Sequence, residues 1–232
     1  MKGKLYGIGT GPGDPELLTL AAVRILKSCD VIAVPATSPG ERTAFSIVKD
    51  LVQDKPKVEC VFSMDRDPQV RIRHREKVVE MICQLLDENK QIGFITLGDP
   101  TVYSTYMYVH QAVKKRGYET QIISGIPSFI QAAAALDISL CEGNEPLHII
   151  PGQGKNLEEL TQYQGTRVIM KAGKNMEEVL KALEDTSNIS IVTRVAMEGE
   201  AIYKDLATYR RKIKPNDKPD YFSIVIAKEE KQ

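Results

Sequence analysis

The chain has 232 residues, enough for one large domain or for two of about 100–150 residues each. It carries 31 basic and 31 acidic residues, so no net charge recruits nucleic acid or an anionic membrane. No apolar run approaches the roughly 18–20 residues of a membrane span, and Met1–Gly3 leads directly into a predicted strand. We therefore expect a soluble, cytoplasmic protein without a signal peptide.

The four cysteines are widely spaced and form no C-x-x-C pair. Cys29, Cys60, Cys83 and Cys141 all lie in apolar or helical stretches. This pattern is typical of reduced thiols in a cytosolic core, and it argues against a disulfide framework or a metal site.

The first loop of the chain is rich in glycine. An apolar segment from Lys4 runs into Gly7, Gly9, Gly11 and Gly13, and such a density suits close approach of the backbone to a ligand. The spacing is not G-x-G-x-x-G, Pro12 removes a backbone donor, and no P-loop motif occurs. The loop predicts a small-ligand site, although a tight strand-to-helix turn explains it as well.

Strands and helices are predicted to alternate over the first half of the chain. Asp14 or Thr19 caps the first helix, and the next helix covers Thr43–Val52. A later helix carries Val102, Tyr106, Val109 and Val113 on one face and stops at Gly117. A first strand is predicted from Lys4 into the glycine-rich loop, and further strands are predicted at 30–35, 57–62, 91–97 and 120–123. This alternation favours a parallel sheet with helices on both faces.

The second half reads as a mixed sheet because its strands follow one another with fewer helices. Asn175, with Glu178 three residues later, predicts a capping box for the helix between two of them. The strands are predicted at 147–151, 166–170, 189–195, 201–203 and 221–227. We place the domain boundary near residues 117–121, which gives an N-terminal α/β domain over 1–119 and a C-terminal mixed α/β domain over 120–232.

Four motifs carry a resemblance to a known family. Residues Gly9 to Thr19 resemble the opening signature of the tetrapyrrole methylases, and Leu97 to Thr105 resemble their G-D-P turn. Ser124 to Phe129 resembles a third signature, with Ser124 where the family has proline, and Val168 to Lys171 a fourth. The resemblance implies two α/β domains with S-adenosylmethionine, the methyl donor, in the cleft between them.

Within the family, the sequence is most similar to the branch that methylates C20 of precorrin-2 or its cobalt form in cobalamin biosynthesis. The resemblance implies a homodimer that acts on a small-molecule tetrapyrrole and not on nucleic acid or a membrane. It also implies the residues that line the cofactor site: Pro12, Leu97, Gly98, Asp99, Val102, Ser104, Thr105, Ser128, Met170 and Val195.

Several of these residues have a second interpretation. Asp99 could face the positive part of the cofactor or cap a helix that begins at Pro100 or Thr101. Ser104 and Thr105 could be ordinary hydroxyls of a first helical turn, and Met170 could be a core residue.

The carboxylate-rich substrate implied by the resemblance needs nearby cations, for which the candidates are Lys171, Lys174, Arg194, Arg42 and Arg71. No catalytic base is assigned. Tyr6, Tyr103, Tyr106 and His148 are possible, but packing explains each, and water or a substrate carboxylate could serve.

Three alternatives remain at this point. The chain could methylate another ring carbon, it could modify ribosomal RNA or diphthine, or it could be a sensor that binds the cofactor without catalysis. Neutral net charge, an aromatic content of 6% and the absence of Trp argue against an RNA substrate.

Overall fold

The structure is a computed structural model, and it describes residues 3–36, 43–63, 65, 67–213 and 219–229. The chain divides into two units, Met1–Pro127 and Ser128–Gln232. Each unit has its own sheet, so the prediction of two α/β units with a parallel and then a mixed sheet is confirmed. Among the described residues no helix is long and apolar enough to cross a membrane.

The first unit alternates strands and helices. Its elements are β1 (Lys4–Gly9), α1 (Leu20–Ser28), β2 (Val31–Ala36), α2 (Thr43–Val52), β3 (Lys57–Val61), α3 (Pro68–Asp87), β4 (Ile92–Thr96), α4 (Tyr106–Lys115) and β5 (Glu119–Ile123). The strands lie in the order β3-β2-β4-β1-β5, and every neighbouring pair is parallel. The carboxyl ends of β1, β4 and β5 therefore meet at one edge.

Two hydrophobic clusters cover the two faces of this sheet. Residues of α1 and α2 pack with Ile8 and Ile95 on one face. Residues of α3 and α4 pack with Leu5 and Phe94 on the other. Alternate residues of β1 and β4 thus point to opposite faces, as expected for a buried parallel strand.

The first unit ends later than the sequence prediction placed it. Strand β5 begins at Glu119 and pairs in parallel with β1, with Lys4 opposite Glu119 and Ile8 opposite Ile123. A boundary at residue 119 would remove this edge strand from its sheet. Gly117 follows the end of α4 with a φ of 84°, as the sequence predicted for the helix stop.

The second unit contains α5 (Ser128–Leu136), β6 (Leu147–Pro151), α6 (Leu157–Leu160), β7 (Thr166–Met170), α7 (Met176–Ala182), β8 (Asn188–Thr193), β9 (Ala201–Tyr203), α8 (Leu206–Lys212) and β10 (Ser223–Lys228). The strand order is β6-β7-β10-β8-β9. The pair β6–β7 is parallel, and the other pairs are antiparallel. The carboxyl ends of β6, β7 and β8 and the amino end of β10 therefore share one edge.

Three sequence predictions are wrong in detail. Asn175 makes no side-chain cap for α7; its amide Nδ2 donates to the Gly152 carbonyl at 3.2 Å instead. Cys141 is exposed, whereas Cys29, Cys60 and Cys83 are buried as predicted. Helix α4 begins at Tyr106, so Val102 lies in the preceding loop. Arg42 lies outside the described residues.

Candidate functional site

The loops after β1 and β4 are joined by backbone hydrogen bonds at the carboxyl edge of the first sheet. The amide of Thr10 donates to the Thr96 carbonyl at 2.9 Å, and the Thr10 hydroxyl donates to the same oxygen at 3.1 Å. Gly11 and Gly98 exchange two N–H···O bonds of 3.2 and 2.7 Å. Both glycines have a φ near 70°, a left-handed conformation that favours glycine.

A third loop, which follows β5, packs directly on these two. A β-carbon on Gly125 would lie 2.2 Å from the Gly98 carbonyl oxygen and 2.8 Å from the Gly9 Cα. A β-carbon on Gly9 would lie 2.5 Å from the Gly125 nitrogen. We call Gly9, Gly98 and Gly125 the loop junction. Only glycine allows the three backbones to approach so closely.

Asp99 holds the loop junction together with its side chain. Its Oδ2 accepts a hydrogen bond from the Gly125 amide at 3.0 Å, and its Oδ1 accepts from the Thr101 amide at 2.7 Å and from the Thr101 hydroxyl. The residue is 7% exposed. The predicted helix cap is therefore wrong, since Asp99 caps a turn and α4 starts at Tyr106.

Ser104 connects the β4 loop to the start of α4. Its Oγ lies 2.8 Å from the Thr96 Oγ1 and accepts a hydrogen bond from the Tyr106 amide at 3.2 Å. The neighbouring Thr105 is exposed and makes no side-chain cap. Tyr103 has a φ of 49° and is 42% exposed. Such a conformation costs a non-glycine residue about 1–2 kcal/mol, and strain of this kind concentrates at functional sites.

The second sheet gathers another set of predicted residues at its shared edge. Met170 ends β7, and its carbonyl accepts the Gly152 amide at 2.7 Å. Lys171 follows with a φ of 59°, and burial lowers its pKa below the usual lysine value. Arg194 and Ala196, on either side of the buried Val195, also have left-handed backbones, with φ of 52° and 57°.

Arg194 is fixed by contacts at two of its nitrogens. Its Nε donates to the Glu198 carbonyl at 2.8 Å, and one terminal nitrogen lies 3.2 Å from the Asp220 carboxylate. Asp220 in turn accepts the Phe222 amide at 2.8 Å. The Arg194 side chain remains 41% exposed. The geometry therefore presents a cation whose orientation is set before any ligand arrives.

The predicted site residues fall into two groups. Seven lie in the loops after β1 and β4, at the edge of the first sheet: Pro12, Leu97, Gly98, Asp99, Val102, Ser104 and Thr105. In the second unit, Met170 and Val195 lie at the edge of the second sheet, and Ser128 begins α5. Lys174 lines a cavity of about 470 Å³ with Glu177, Glu178 and Arg210. Arg71 lies in the first turn of α3.

Sequence reasoning left Gly9, Gly125 and Thr10 out of the site. The signal for Gly125 was present, since a strand, one intervening residue and a glycine repeat the pattern seen after β4. What the sequence lacked was the information that the three loops touch.

The residues considered as a base have structural partners. The Tyr106 hydroxyl lies 3.0 Å from the His110 Nδ1, and burial raises the pKa of this phenol, so it remains neutral. The Tyr6 hydroxyl donates to Gln91 at 3.4 Å. His148 lies 2.9 Å from the Gln164 carbonyl and packs on Tyr163.

The comparisons with known proteins decide the family. Residues 4–208 match the family model of the Tetrapyrrole (Corrin/Porphyrin) Methylases. The chain belongs to the tetrapyrrole methylases. This tetrapyrrole methylase is 39% identical over 228 residues to a probable cobalt-precorrin-2 C(20)-methyltransferase of Methanocaldococcus jannaschii, covering 97% of this chain and 96% of the relative. It is 29% identical to the cobalt-precorrin-2 C(20)-methyltransferase of Salmonella typhimurium, covering 97% and 96% of the two chains.

Solved structures agree with the fold of this methylase. A cobalt precorrin-4 methyltransferase matches with a TM-score of 0.75 at 19% identity, over 97% of this chain and 94% of that one. A uroporphyrin-III C-methyltransferase from Thermus thermophilus, solved with S-adenosylhomocysteine, matches with a TM-score of 0.70 at 18% identity, over 98% of each chain. At these identities the likeness establishes the architecture alone.

Proposed function

We propose that this tetrapyrrole methylase transfers a methyl group from S-adenosylmethionine to C20 of precorrin-2 or cobalt-precorrin-2, a step of cobalamin biosynthesis. The observation that carries the proposal is the 39% identity, over nearly the full length of both chains, to a probable cobalt-precorrin-2 C(20)-methyltransferase. A precorrin-2 C(20)-methyltransferase of Sinorhizobium is 27% identical over 97% of the chain. Relatives named for cobalt-precorrin-2 and relatives named for precorrin-2 are thus all named as methylating the same carbon, C20.

The first-sheet loops suit the polar nucleoside part of a ligand such as S-adenosylmethionine. Their glycines bring backbone groups to the edge, and their buried side chains bond to one another. We propose that the methyl donor is held by Pro12, Leu97, Gly98, Asp99, Val102, Ser104, Thr105, Ser128, Met170 and Val195. The bound sulfonium supplies an activated methyl group to the electron-rich ring carbon.

The main contribution of the protein to catalysis is then to position the methyl donor and the ring carbon. Methyl transfer requires an in-line approach, and fixed loops lower the entropic cost of reaching it. The hydrogen bonds of Thr10, Ser104 and Asp99 lock the loop junction within the protein itself. A site that is already ordered does not have to be organised when the donor binds.

Carboxylates of the tetrapyrrole need cations, and Arg194 is the one whose orientation the structure fixes best. We propose that it binds a substrate carboxylate. An Arg–carboxylate pair can be bidentate, which gives direction as well as charge. Lys171, at the same sheet edge, is a second candidate: burial lowers the pKa of its amine, and a substrate carboxylate beside it would favour the charged form.

We further propose that the protein works as a cytoplasmic homodimer and binds no nucleic acid. Its zero net charge and its low aromatic content of 6% support the absence of nucleic-acid binding, whereas the homodimer and the cytoplasmic location rest on the family resemblance. Sedimentation of the purified protein measures the oligomeric state directly, and a monomer would contradict the homodimer.

The test of function is methyl transfer without oxygen. The purified protein is incubated with ¹³C-methyl-labelled S-adenosylmethionine and either precorrin-2 or cobalt-precorrin-2, and mass and carbon NMR spectra of the product are recorded. We expect one added methyl, at C20, with at least one of the two substrates. A methyl on another carbon would place the chain in a different branch, and binding of the donor without transfer to either substrate would favour a sensor.

A further inference from the structure

We infer that Tyr103 is a substrate-binding residue whose ring packs on the face of the tetrapyrrole macrocycle. The inference rests on the proposed function, because it concerns the acceptor of that methyl transfer. It deepens that function by assigning a contact to the face of the macrocycle, whereas Arg194 and Lys171 are proposed for the carboxylates at its rim.

The first argument is the backbone conformation of Tyr103. Six residues other than glycine have a positive φ in the part of the chain that the structure describes. Two of them, Asn89 and Asp137, follow the ends of α3 and α5, where a left-handed residue is common and these residue types tolerate it. The other four, which include Tyr103 and Arg194, lie in loops at the sheet edges that carry the predicted site residues. Strain that a fold maintains at such a position points to function.

The second argument is that the Tyr103 ring is exposed in a loop whose following residues are held by the protein. Ser104 is bonded to Thr96 through their hydroxyls, and the Tyr106 ring is fully buried. Tyr103 itself remains 42% exposed. Leu20, which begins α1 on the same edge of the first sheet, is 89% exposed. This edge therefore presents apolar surface in addition to the polar loop junction.

The substrate of the proposed reaction has a surface that suits this edge. A tetrapyrrole has a large conjugated face with carboxylates around its rim, whereas the adenine of the methyl donor has a smaller ring with several hydrogen-bonding positions. Aromatic side chains pack favourably on conjugated rings in offset or edge-to-face arrangements. Burial raises the pKa of the Tyr103 hydroxyl, so the phenol stays neutral and does not repel the carboxylates. We therefore place the ring against the macrocycle and not against the donor.

The experiment compares Tyr103→Asn with Tyr103→Phe in the methyl-transfer assay, with the tetrapyrrole that the wild type methylates. Asparagine adopts the left-handed conformation more readily than tyrosine, so Tyr103→Asn keeps the loop backbone and removes the ring. We expect its KM for the tetrapyrrole to rise roughly tenfold with little change in kcat, the pattern of a lost binding contact. Tyr103→Phe keeps the ring and should retain the wild-type KM. An unchanged KM in Tyr103→Asn, or an equal rise in both variants, would overturn the inference.

Binding of the methyl donor separates this role from a contact with the adenine. Calorimetry with S-adenosylhomocysteine should give Tyr103→Asn the affinity of the wild type. If this affinity falls by as much as the KM rises, the ring lies against the donor and the inference is wrong. The matched control is Tyr163→Asn, because Tyr163 is 43% exposed and precedes β7, at the opposite end of that strand from Met170. The KM of this control should not change.

A measurement on the wild-type protein keeps the inference testable if Tyr103→Asn does not fold. The protein is labelled with ¹³C in its tyrosine rings, and the Tyr103 resonance is assigned as the one that Tyr103→Phe lacks. Addition of precorrin-2 should shift this resonance, whereas S-adenosylhomocysteine alone should leave it in place. The reverse result would contradict the inference. Failure of the wild type to methylate either tetrapyrrole would instead contradict the proposed function.

Discussion

The ring of Tyr106 occupies the space that a side chain on Gly7 would need. A β-carbon built on Gly7 would lie 1.9 Å from the Tyr106 Cε1, and Tyr106 is fully buried. The ring also packs on Phe94, with centroids 5.2 Å apart. The start of α4, which follows the Ser104 loop, is thereby fixed against the middle of β1.

We predict that Gly7→Ala destabilises the protein by at least about 1–3 kcal/mol, the usual cost of overpacking a core. Tyr106→Ala alone should cost about 3–5 kcal/mol through its cavity. In the double variant the new methyl enters that cavity, so the combined loss should be smaller than the sum. Urea unfolding of the four proteins measures this coupling, and simple additivity would refute the contact.

Tyr106 also shows where sequence reasoning succeeds and where it stops. The spacing of Tyr106, Val109 and Val113 predicted the buried face of α4 correctly, because helical periodicity is a local property. Val102 fitted the same period, yet the left-handed backbone of Tyr103 interrupts the helix before it can begin. A left-handed backbone cannot be predicted from the residue type, because tyrosine does not favour that conformation.

The same limit applies to the site. The glycine-rich loop and the Gly98-Asp99 turn could be predicted because their residue types are unusual. The contact of Asp99 with Gly125 could not, since it joins loops that are distant in sequence and meet only through the strand order β4-β1-β5. Register and strand order are tertiary information.

His110 should make the stability of the first unit depend on pH. Its Nδ1 lies 3.0 Å from the Tyr106 hydroxyl and its Nε2 lies 3.4 Å from the Thr120 hydroxyl. Burial, and then the charge of Lys114, lower its pKa below the ordinary 6.5. As pH falls, the unfolded chain therefore takes up this proton before the folded protein does.

Stability from this site is complete above the unfolded pKa and is lost as pH falls through the lower folded value. We predict that the thermal midpoint falls between about pH 7 and pH 5 and that His110→Gln flattens part of this decline, because glutamine does not titrate there. His74→Gln, in the partly exposed first half of α3, is the control. Equal pH profiles for wild type and His110→Gln would show that His110 is not involved.

Arg194 should govern the affinity for the tetrapyrrole and not for the methyl donor. If its guanidinium pairs with a substrate carboxylate, Arg194→Gln should raise KM roughly 10–100-fold, the value of a charged hydrogen bond. Calorimetry with S-adenosylhomocysteine should show little change.

Asp220→Asn separates this role from a structural one. It weakens the 3.2 Å ion pair but keeps the Arg194 cation. If the variant raises KM as much as Arg194→Gln does, the ion pair alone accounts for the effect. Arg211→Gln, at the exposed end of α8, is the control and should leave KM unchanged.

Asn175 distinguishes a helix cap from a cross-loop contact. The capping-box hypothesis predicts that Asn175→Asp is neutral or stabilising. Aspartate caps helices as well as asparagine does, and its negative charge interacts favourably with the positive end of the helix dipole.

In the structure, the Asn175 side-chain amide donates to the Gly152 carbonyl at 3.2 Å, and the Gly152 backbone amide donates to the Met170 carbonyl. A carboxylate at position 175 cannot donate, and it would face the lone pairs of that carbonyl. We therefore predict a loss of about 1–3 kcal/mol for Asn175→Asp, the cost of breaking a partly buried hydrogen bond, measured by urea unfolding. Asn175→Gln keeps a donor and serves as the comparison, while unchanged stability in Asn175→Asp would restore the capping box.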